Sequence, residues 1–464
     1  MSEELTWLSA WQIRELVAKR EVSPVEVVEH FLGRIEEHDP TLNAFKTLDR
    51  TGAHEQAVQA EAALVAGDDV GPLHGVPIAV KEHIPVAGLP MLGLGGAPDA
   101  LARRDAIGVS RLRNAGAIIL GTNTMMGTSG SMADPAHRVY NWGKEARNPW
   151  DTDRVPGWSS SGGAAAVAAG LLPLAIGSDG GGSTRLPAAY SGVVGLHPTG
   201  ALIPTVDYGE PRLGVLGSVM GSIGPLCRDV RDAAITLQAM AGPDGRDFIS
   251  LPFEPPDYSA GLDLGVDGMR FAWTDDYGFT SMYAQSDSTR IIETVRQSAM
   301  AMASLGAAVE VTEQEWVDFW PGYVASSPVV GGAVARDFPS EEEWGRALDS
   351  RQRNWTSFRQ VLAEHDVILS VTAQLLPRTV EEWDHGWTQG GDVYPHGTFA
   401  PTYTSHTHMY NWLSFPAISV PCGFVDGLPV GLQIGGLPGS EDKILRVANT
   451  FLKAFPRDEH PPVS

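Results

Sequence analysis

Two loops rich in glycine and serine hold the residues with the clearest chemical potential. One is Pro156-Gly157-Trp158-Ser159-Ser160-Ser161-Gly162-Gly163-Ala164; the other is Gly177-Ser178-Asp179-Gly180-Gly181-Gly182-Ser183. Taken alone, both fit ordinary turns, since glycine and serine are common loop residues. A nucleotide-binding loop is excluded: there is no G-x-x-x-x-G-K-[ST], and no G-x-G-x-x-G opens a helix in a dinucleotide-binding context. Three glycines directly before Ser183 suit acyl transfer instead. Their unhindered backbone N–H groups can converge on an oxyanion formed beside the serine hydroxyl.

A serine hydroxyl attacks only when a base takes its proton. The G-x-S-x-G elbow of histidine-driven hydrolases fails here, because Ser183 has Gly181 two residues before it but Arg185 two residues after it. A buried lysine kept neutral is the remaining common base, since desolvation lowers a lysine pKa by up to ~3–5 units. Lys81 ends the apolar run Val76-Pro77-Ile78-Ala79-Val80 and is the candidate. The pattern fits equally a strand-end lysine that reaches solvent.

The elements that must position these groups alternate between helix and strand. Ser9-Ala10-Trp11-Gln12 and Ser23-Pro24-Val25-Glu26 read as capping boxes, each opening an amphipathic helix. Strands are expected at 76–80, 117–120, 174–176, 270–273, 309–311, 367–370, 418–420 and 430–434. Gly121-Thr122-Asn123 reads as a turn, 164–169 as a helix, and the strand at 174–176 stops at the glycine-rich loop. Asp426-Gly427 predicts a hairpin turn between the last two strands. Together these give an α/β fold: one large domain, residues 1–464, with a central mixed β-sheet covered on both sides by helices. Pro252 to Pro256 is the best internal punctuation and does not make a convincing boundary.

Composition narrows the function further. A net charge of -23 argues against a nucleic-acid partner, because phosphate binding needs clustered Lys and Arg. Cys227 and Cys422 are the only cysteines, which is neither a disulfide framework nor a metal-ligand spacing. The acidic start Met1-Ser2-Glu3-Glu4 does not resemble a signal peptide, and the longest apolar run, 164–176, is too short for a bilayer span of ~20 residues. A cytoplasmic enzyme, monomeric or dimeric and without a membrane partner, is expected. His385, His396, His406 and His408 raise a metal site, but no H-E-x-x-H occurs and no metal or other cofactor is expected. Trp316, Trp320, Trp383 and Trp387 fit a pocket wall and core packing equally.

Beyond these readings, several segments resemble the amidase signature family. Gly75-Val76-Pro77-Ile78-Ala79-Val80-Lys81-Glu82-His83 is similar to its G-V-P-[FI]-x-[VL]-K-D-N element. Arg147 to Asp151, Pro156 to Gly162 and Gly177 to Thr199 resemble its long signature; Phe415 to Gly423 and Gly427 to Gln433 resemble its closing motif. The resemblance implies a Ser–cis-Ser–Lys triad with Ser183 as nucleophile and Lys81 as base. The family's serine spacing places the bridge at Ser159, with Ser160 ranked second, and a cis peptide at Trp158–Ser159 or Ser159–Ser160. It implies oxyanion donors at Gly180, Gly181, Gly182 and Ser183, a signature core over 75–200, a specificity region over 200–410 and a closing sheet and helix over 411–464.

Glu82-His83 stands where the family has Asp-Asn, Trp158 where it has a second glycine, Gly180 where it has a larger residue, and His197 where it has a lysine. Trp158, His83 and, by its position after Asp366, Gln374 are therefore the candidate substrate-binding residues. The implied activity is hydrolysis of small amides, anilides or N-aryl carbamates (urethanes). The alternative is the glutaminase subunit of a tRNA-dependent amidotransferase, although Gly200-Ala201-Leu202-Ile203-Pro204 does not resemble that subunit's continuation.

Overall fold

The computed structural model describes residues 2–91, 101–126, 145–205, 220–321, 340–382 and 399–463, with short strands at 329–330 and 333–334. His385, His396, Trp383 and Trp387 lie outside these residues. The strands are β1 (Phe45–Leu48), β2 (Pro77–Lys81), β3 (Ile118–Asn123), β4 (Leu174–Asp179), β5 (Val194–His197), β6 (Ser222–Cys227), β7 (Arg270–Trp273), β8 (Ala308–Val311), β9 (Val329–Val330), β10 (Ala333–Val334), β11 (Val367–Val371), β12 (Ala417–Val425) and β13 (Leu428–Gly435). Eleven of them form one sheet in the order β1-β3-β2-β4-β6-β5-β12-β13-β11-β7-β8, and β9 pairs with β10.

The sheet is mixed. β2 runs parallel to both β3 and β4, β7 runs parallel to β8 and β11, and the central pairs β4–β6, β6–β5, β5–β12, β12–β13 and β13–β11 are antiparallel. Alternate side chains of one strand enter different cores, as a period of two requires. From β2 and β4, Ile78, Val80, Leu174 and Ile176 pack with the helices at Ile107–Asn114, Val230–Met240 and Glu441–Ala454. Ala79 and Ala175 point the other way, onto the helices at Pro24–Leu42 and Ser161–Ala168. Helices therefore cover both faces of a single α/β domain, as expected.

Both capping boxes are present, at Ser9 with Gln12 and at Ser23 with Glu26. The β12–β13 hairpin closes at Asp426 and Gly427, whose φ values of 51° and 77° match a two-residue type I′ turn. Two expectations need correction. Gly121-Thr122-Asn123 is not a turn but the end of β3, flanked by β1 on one side and β2 on the other. Glycine is needed there for close approach: a Cβ on Gly121 would lie 2.0 Å from the Thr47 carbonyl oxygen. Likewise β4 does not stop at Gly177; pairing with the unforeseen β6 carries it on to Asp179.

These corrections matter for chemistry. Because β2 and β4 are parallel neighbours, Lys81 and Ser178-Asp179 emerge at the same edge of the sheet. That edge, outside the carboxyl ends of parallel strands, is where α/β sheets commonly place their sites.

Candidate active site

Lys81 is buried, with 1% of its surface exposed, so it is not a strand-end lysine reaching solvent. Its Nζ lies 2.7 Å from Ser159 Oγ, 3.1 Å from Ser178 Oγ and 3.4 Å from the Ser178 carbonyl oxygen. Burial lowers its pKa to about 7, against the opposing pull of the Asp179 and Glu82 carboxylates. The Trp158–Ser159 peptide is cis.

Ser160 is engaged elsewhere. Its Oγ donates to the Ser178 carbonyl at 3.1 Å and its N–H donates to the Ser183 carbonyl at 3.1 Å. Geometry thus pairs Lys81 with Ser159, while Ser160 ties the first loop to the second. Among the described residues, the Ser159 and Ser183 hydroxyls share no direct hydrogen bond. Ser159 and Ser183 are both half-buried, at the edge that carries Lys81.

The loop that ends in Ser183 is held by a buried ion pair. Arg185 donates from Nε to Asp179 Oδ2 at 2.9 Å and from Nη2 to Asp179 Oδ1 at 3.0 Å, and both side chains are fully buried. Burial alone would raise the Asp179 carboxyl; Arg185, His197 and Asn411 overcome it and hold the group well below the usual carboxylate range. Asp179 then accepts the Gly182 N–H at 2.6 Å and the Thr184 hydroxyl at 2.8 Å, bracketing Ser183. One expectation changes as a result. The Gly182 N–H is committed to Asp179, whereas the N–H groups of Gly180, Gly181 and Ser183 have no acceptor among the described residues.

The glycines at 181 and 182 are also required by packing. A Cβ on Gly181 would lie 2.2 Å from His408 Nε2, and one on Gly182 2.2 Å from Thr407 Oγ1, while Gly180 has open space around it.

The remaining candidates divide. His83 Nε2 lies 3.2 Å from Ser178 Oγ, so it reaches Lys81 through that hydroxyl. Trp158 packs edge-on to Tyr403, with ring centroids 4.7 Å apart, in a buried cluster with Met126, Leu186, Tyr190 and Leu375. Gln374 is buried and donates to the Thr280 carbonyl at 3.0 Å, which ties its amide to the scaffold. His406 and His408 do not converge. His406 Nε2 lies 3.2 Å from Thr280 Oγ1, whereas His408 Nδ1 lies 2.7 Å from Thr404 Oγ1 and its ring packs against Phe319 and Trp320. Burial pushes their pKa values down to about 4 and about 3, so both are neutral near pH 7. His197 bonds Ser222 Oγ at 2.7 Å behind Asp179. Sequence reasoning missed Ser178, Asp179, Arg185 and Asn411 as supports of the site. An aspartate and an arginine six residues apart around a glycine loop were the available signal, since buried charges need partners.

The family model for amidases matches residues 26–338 and 331–445. The chain belongs to the amidase signature family. It is 32% identical over 475 residues to an acylamidase of Rhodococcus erythropolis, covering 97% of this chain and 96% of the relative. It is 33% identical over 495 residues to a glutamyl-tRNA(Gln) amidotransferase subunit of Desulforudis audaxviator, covering 96% and 95%. A crystal structure of a bacterial aryl acylamidase of the same family superimposes with a TM-score of 0.82 at 26% identity, over 98% of each chain. This amidase is accordingly an enzyme of the hydrolase class acting on carbon–nitrogen bonds. Among its described residues no helix is long and apolar enough to cross a membrane, and no group of three or more His, Cys, Asp or Glu side chains could hold a metal ion.

Proposed function

We propose that this amidase cleaves small neutral amides, anilides or N-aryl carbamates through an acyl-enzyme on Ser183. The observation that carries the reading is the buried Lys81 amine 2.7 Å from Ser159 Oγ, with burial bringing its pKa to about 7. Neutral Lys81 accepts the proton of Ser159, which takes the proton of Ser183 as that oxygen attacks the carbonyl. Apo hydroxyls commonly close to bonding distance only when substrate is bound, and the Ser159–Ser183 leg falls under that rule. The N–H groups of Gly180, Gly181 and Ser183 face no competing acceptor among the described residues and are assigned to the oxyanion, each worth about 3–4 kcal/mol in hydrolases of this kind. The relay runs backward to protonate the leaving amine, and water then releases the acyl group by the same base.

Support for an aryl or alkyl group on the substrate comes from apolar side chains packed beside the two serine loops. Trp158, next to Ser159 in the chain, clusters with Met126 and Leu186; His408, whose Nε2 lies where a Cβ on Gly181 would come, packs on Phe319 and Trp320. The second reading, a glutaminase subunit, draws on the relatives named for glutamyl-tRNA(Gln) amidotransferase. Glutamine is polar and zwitterionic, which such apolar surroundings favour less.

A panel of chromogenic anilides, primary amides including glutamine, esters and N-aryl carbamates tests both. Turnover of anilides or carbamates that disappears in Ser183→Ala and Lys81→Ala, and falls by orders of magnitude in Ser159→Ala, is expected. Glutamine as the best substrate would transfer the assignment to the amidotransferase reading. Full activity in Ser159→Ala would remove the bridge.

A further inference from the structure

We infer that His83 is a positioning residue that decides which hydroxyl the Lys81 lone pair faces, acting through Ser178. The inference rests on Lys81 being the base. Among the described residues, Lys81 Nζ has three oxygen neighbours: Ser159 Oγ, Ser178 Oγ and the Ser178 carbonyl. A charged amine donates three N–H bonds and satisfies all of them, whereas the neutral amine has two N–H groups and one lone pair. The carbonyl can only accept, so it takes one N–H. The two hydroxyls then compete: whichever turns its O–H on Nζ occupies the lone pair, and the other receives the remaining N–H. Only when Ser159 holds the lone pair can its proton pass to Lys81.

His83 breaks the tie. Its Nε2 lies 3.2 Å from Ser178 Oγ, the same oxygen that Lys81 Nζ contacts. With the proton on Nδ1, Nε2 accepts the Ser178 O–H and keeps it off Lys81. Nδ1 is buried and has no partner among the described residues whichever ring nitrogen carries the proton, so the choice of tautomer rests on the Ser178 side. Ser178 Oγ accepts a Lys81 N–H whether the lysine is charged or neutral, so only the Ser159 bond reverses during proton transfer. With the proton on Nε2, the charged lysine and the imidazole would both donate to Ser178 Oγ, and the Ser178 O–H would turn to Nζ as soon as the lysine became neutral. The first arrangement serves both states without reorganisation, which is what a preorganised relay requires.

A charged imidazole would spoil it. Burial first, and the nearby Lys81 second, hold the His83 pKa well below its ordinary value. The other charged groups in the assembly act on neighbours: Asp179 and Glu82 on Lys81, and Lys46 on Glu82.

The test is a cycle between His83→Leu and Ser178→Ala, read as kcat and KM against an anilide, with melting temperatures as a check on folding. His83→Leu should lower kcat about tenfold to a hundredfold, a portion of what general-base catalysis contributes. KM should stay within about twofold, and the acidic limb of the pH profile should persist at a lower plateau. His83→Gln, whose Oε1 can accept the Ser178 hydroxyl, should recover much of the loss. In a Ser178→Ala background the His83→Leu loss should vanish, because no competing hydroxyl remains. An undiminished loss in that background, or a raised KM with kcat unchanged, overturns the inference and makes His83 a packing or substrate contact. If the leucine variant folds poorly, His83→Phe replaces it as the non-accepting side chain. Turnover surviving in Lys81→Ala brings down the underlying reading instead, and the inference with it.

Discussion

Moving the pH across neutrality titrates the group on which the proposed relay depends. Burial takes the Lys81 pKa from 10.5 to about 7, so about half of the lysine is neutral at pH 7, against roughly 0.03% for an ordinary lysine. That gain of about three orders of magnitude in active base corresponds to about 4 kcal/mol, at ~1.4 kcal/mol per unit. The base works as the neutral form, so activity rises with pH. From pH 8 to pH 6 the active fraction falls about tenfold, and by pH 5 only about a hundredth remains.

Asp179 keeps its charge across this window because Arg185 and its neighbours hold it well below the usual range despite burial. Glu82 is adjustable. Its carboxylate props the lysine up, and its Oε1 accepts the Met125 N–H at 2.6 Å, a role an amide oxygen can fill. Glu82→Gln should therefore keep the fold and shift the acidic limb to lower pH. The assay is the initial-rate kcat/KM for a non-titrating chromogenic anilide between pH 5 and 9. A flat profile, a midpoint above 9, or an alkaline shift in Glu82→Gln would refute the assignment of Lys81 as the base.

Two further outcomes follow from the support of the glycine loop. Arg185→Met leaves Asp179 buried without its bidentate partner and should cost about 3–5 kcal/mol in a denaturant titration, with activity lost alongside. Gly181→Ala drives a Cβ toward His408 and should lower kcat by at least about tenfold through displacement of an oxyanion donor, whereas Gly180→Ala meets nothing within 4 Å and should leave the melting temperature unchanged.

The strand that delivers Lys81 was legible because Val76 to Val80 is apolar without interruption and both of its faces are buried, as a parallel strand between helical layers should be. The helices at Ala10–Ala18 and Pro24–Leu42 carried their caps in plain view. β5 and β6 did not show. Gly195, Gly224 and Pro225 break any strand pattern, and two of them are there for contact: a Cβ on Gly224 would meet the Leu196 carbonyl oxygen at 2.0 Å, and one on Gly195 the Thr184 carbonyl at 2.7 Å. Close approach of backbone selected residues that read as turns. In the site, Lys81 and Ser159 stand 78 positions apart, and only the resemblance joined them before the fold did. No local pattern encodes that Ser178 sits between Lys81 and His83, because β2 and β4 become neighbours only in the sheet.

The division of the chain into a signature core and a specificity region is weakest where the two meet. Thr407 Oγ1 donates to the Gly181 carbonyl at 2.9 Å, Arg185 Nη1 donates to the Thr407 carbonyl at 3.0 Å, and Asn411 Nδ2 donates to Asp179 Oδ1 at 2.9 Å. Gln433, in the closing motif, accepts from Arg185 Nη1 at 2.9 Å and donates to the His406 carbonyl at 3.0 Å. Residues 406–411 therefore clamp the loop that carries Ser183 as firmly as the signature segment does, although they fall in or beside the stretch assigned to specificity. An oxyanion site gains its advantage only when its dipoles are fixed before charge develops. His408 faces both ways: its ring packs on Phe319 and Trp320, and its Nε2 sits over Gly181. Under the proposed mechanism, a substrate group that displaced His408 would press directly on the loop assigned to the oxyanion, and the choice of substrate and the speed of acyl transfer would then be set by one connected structure.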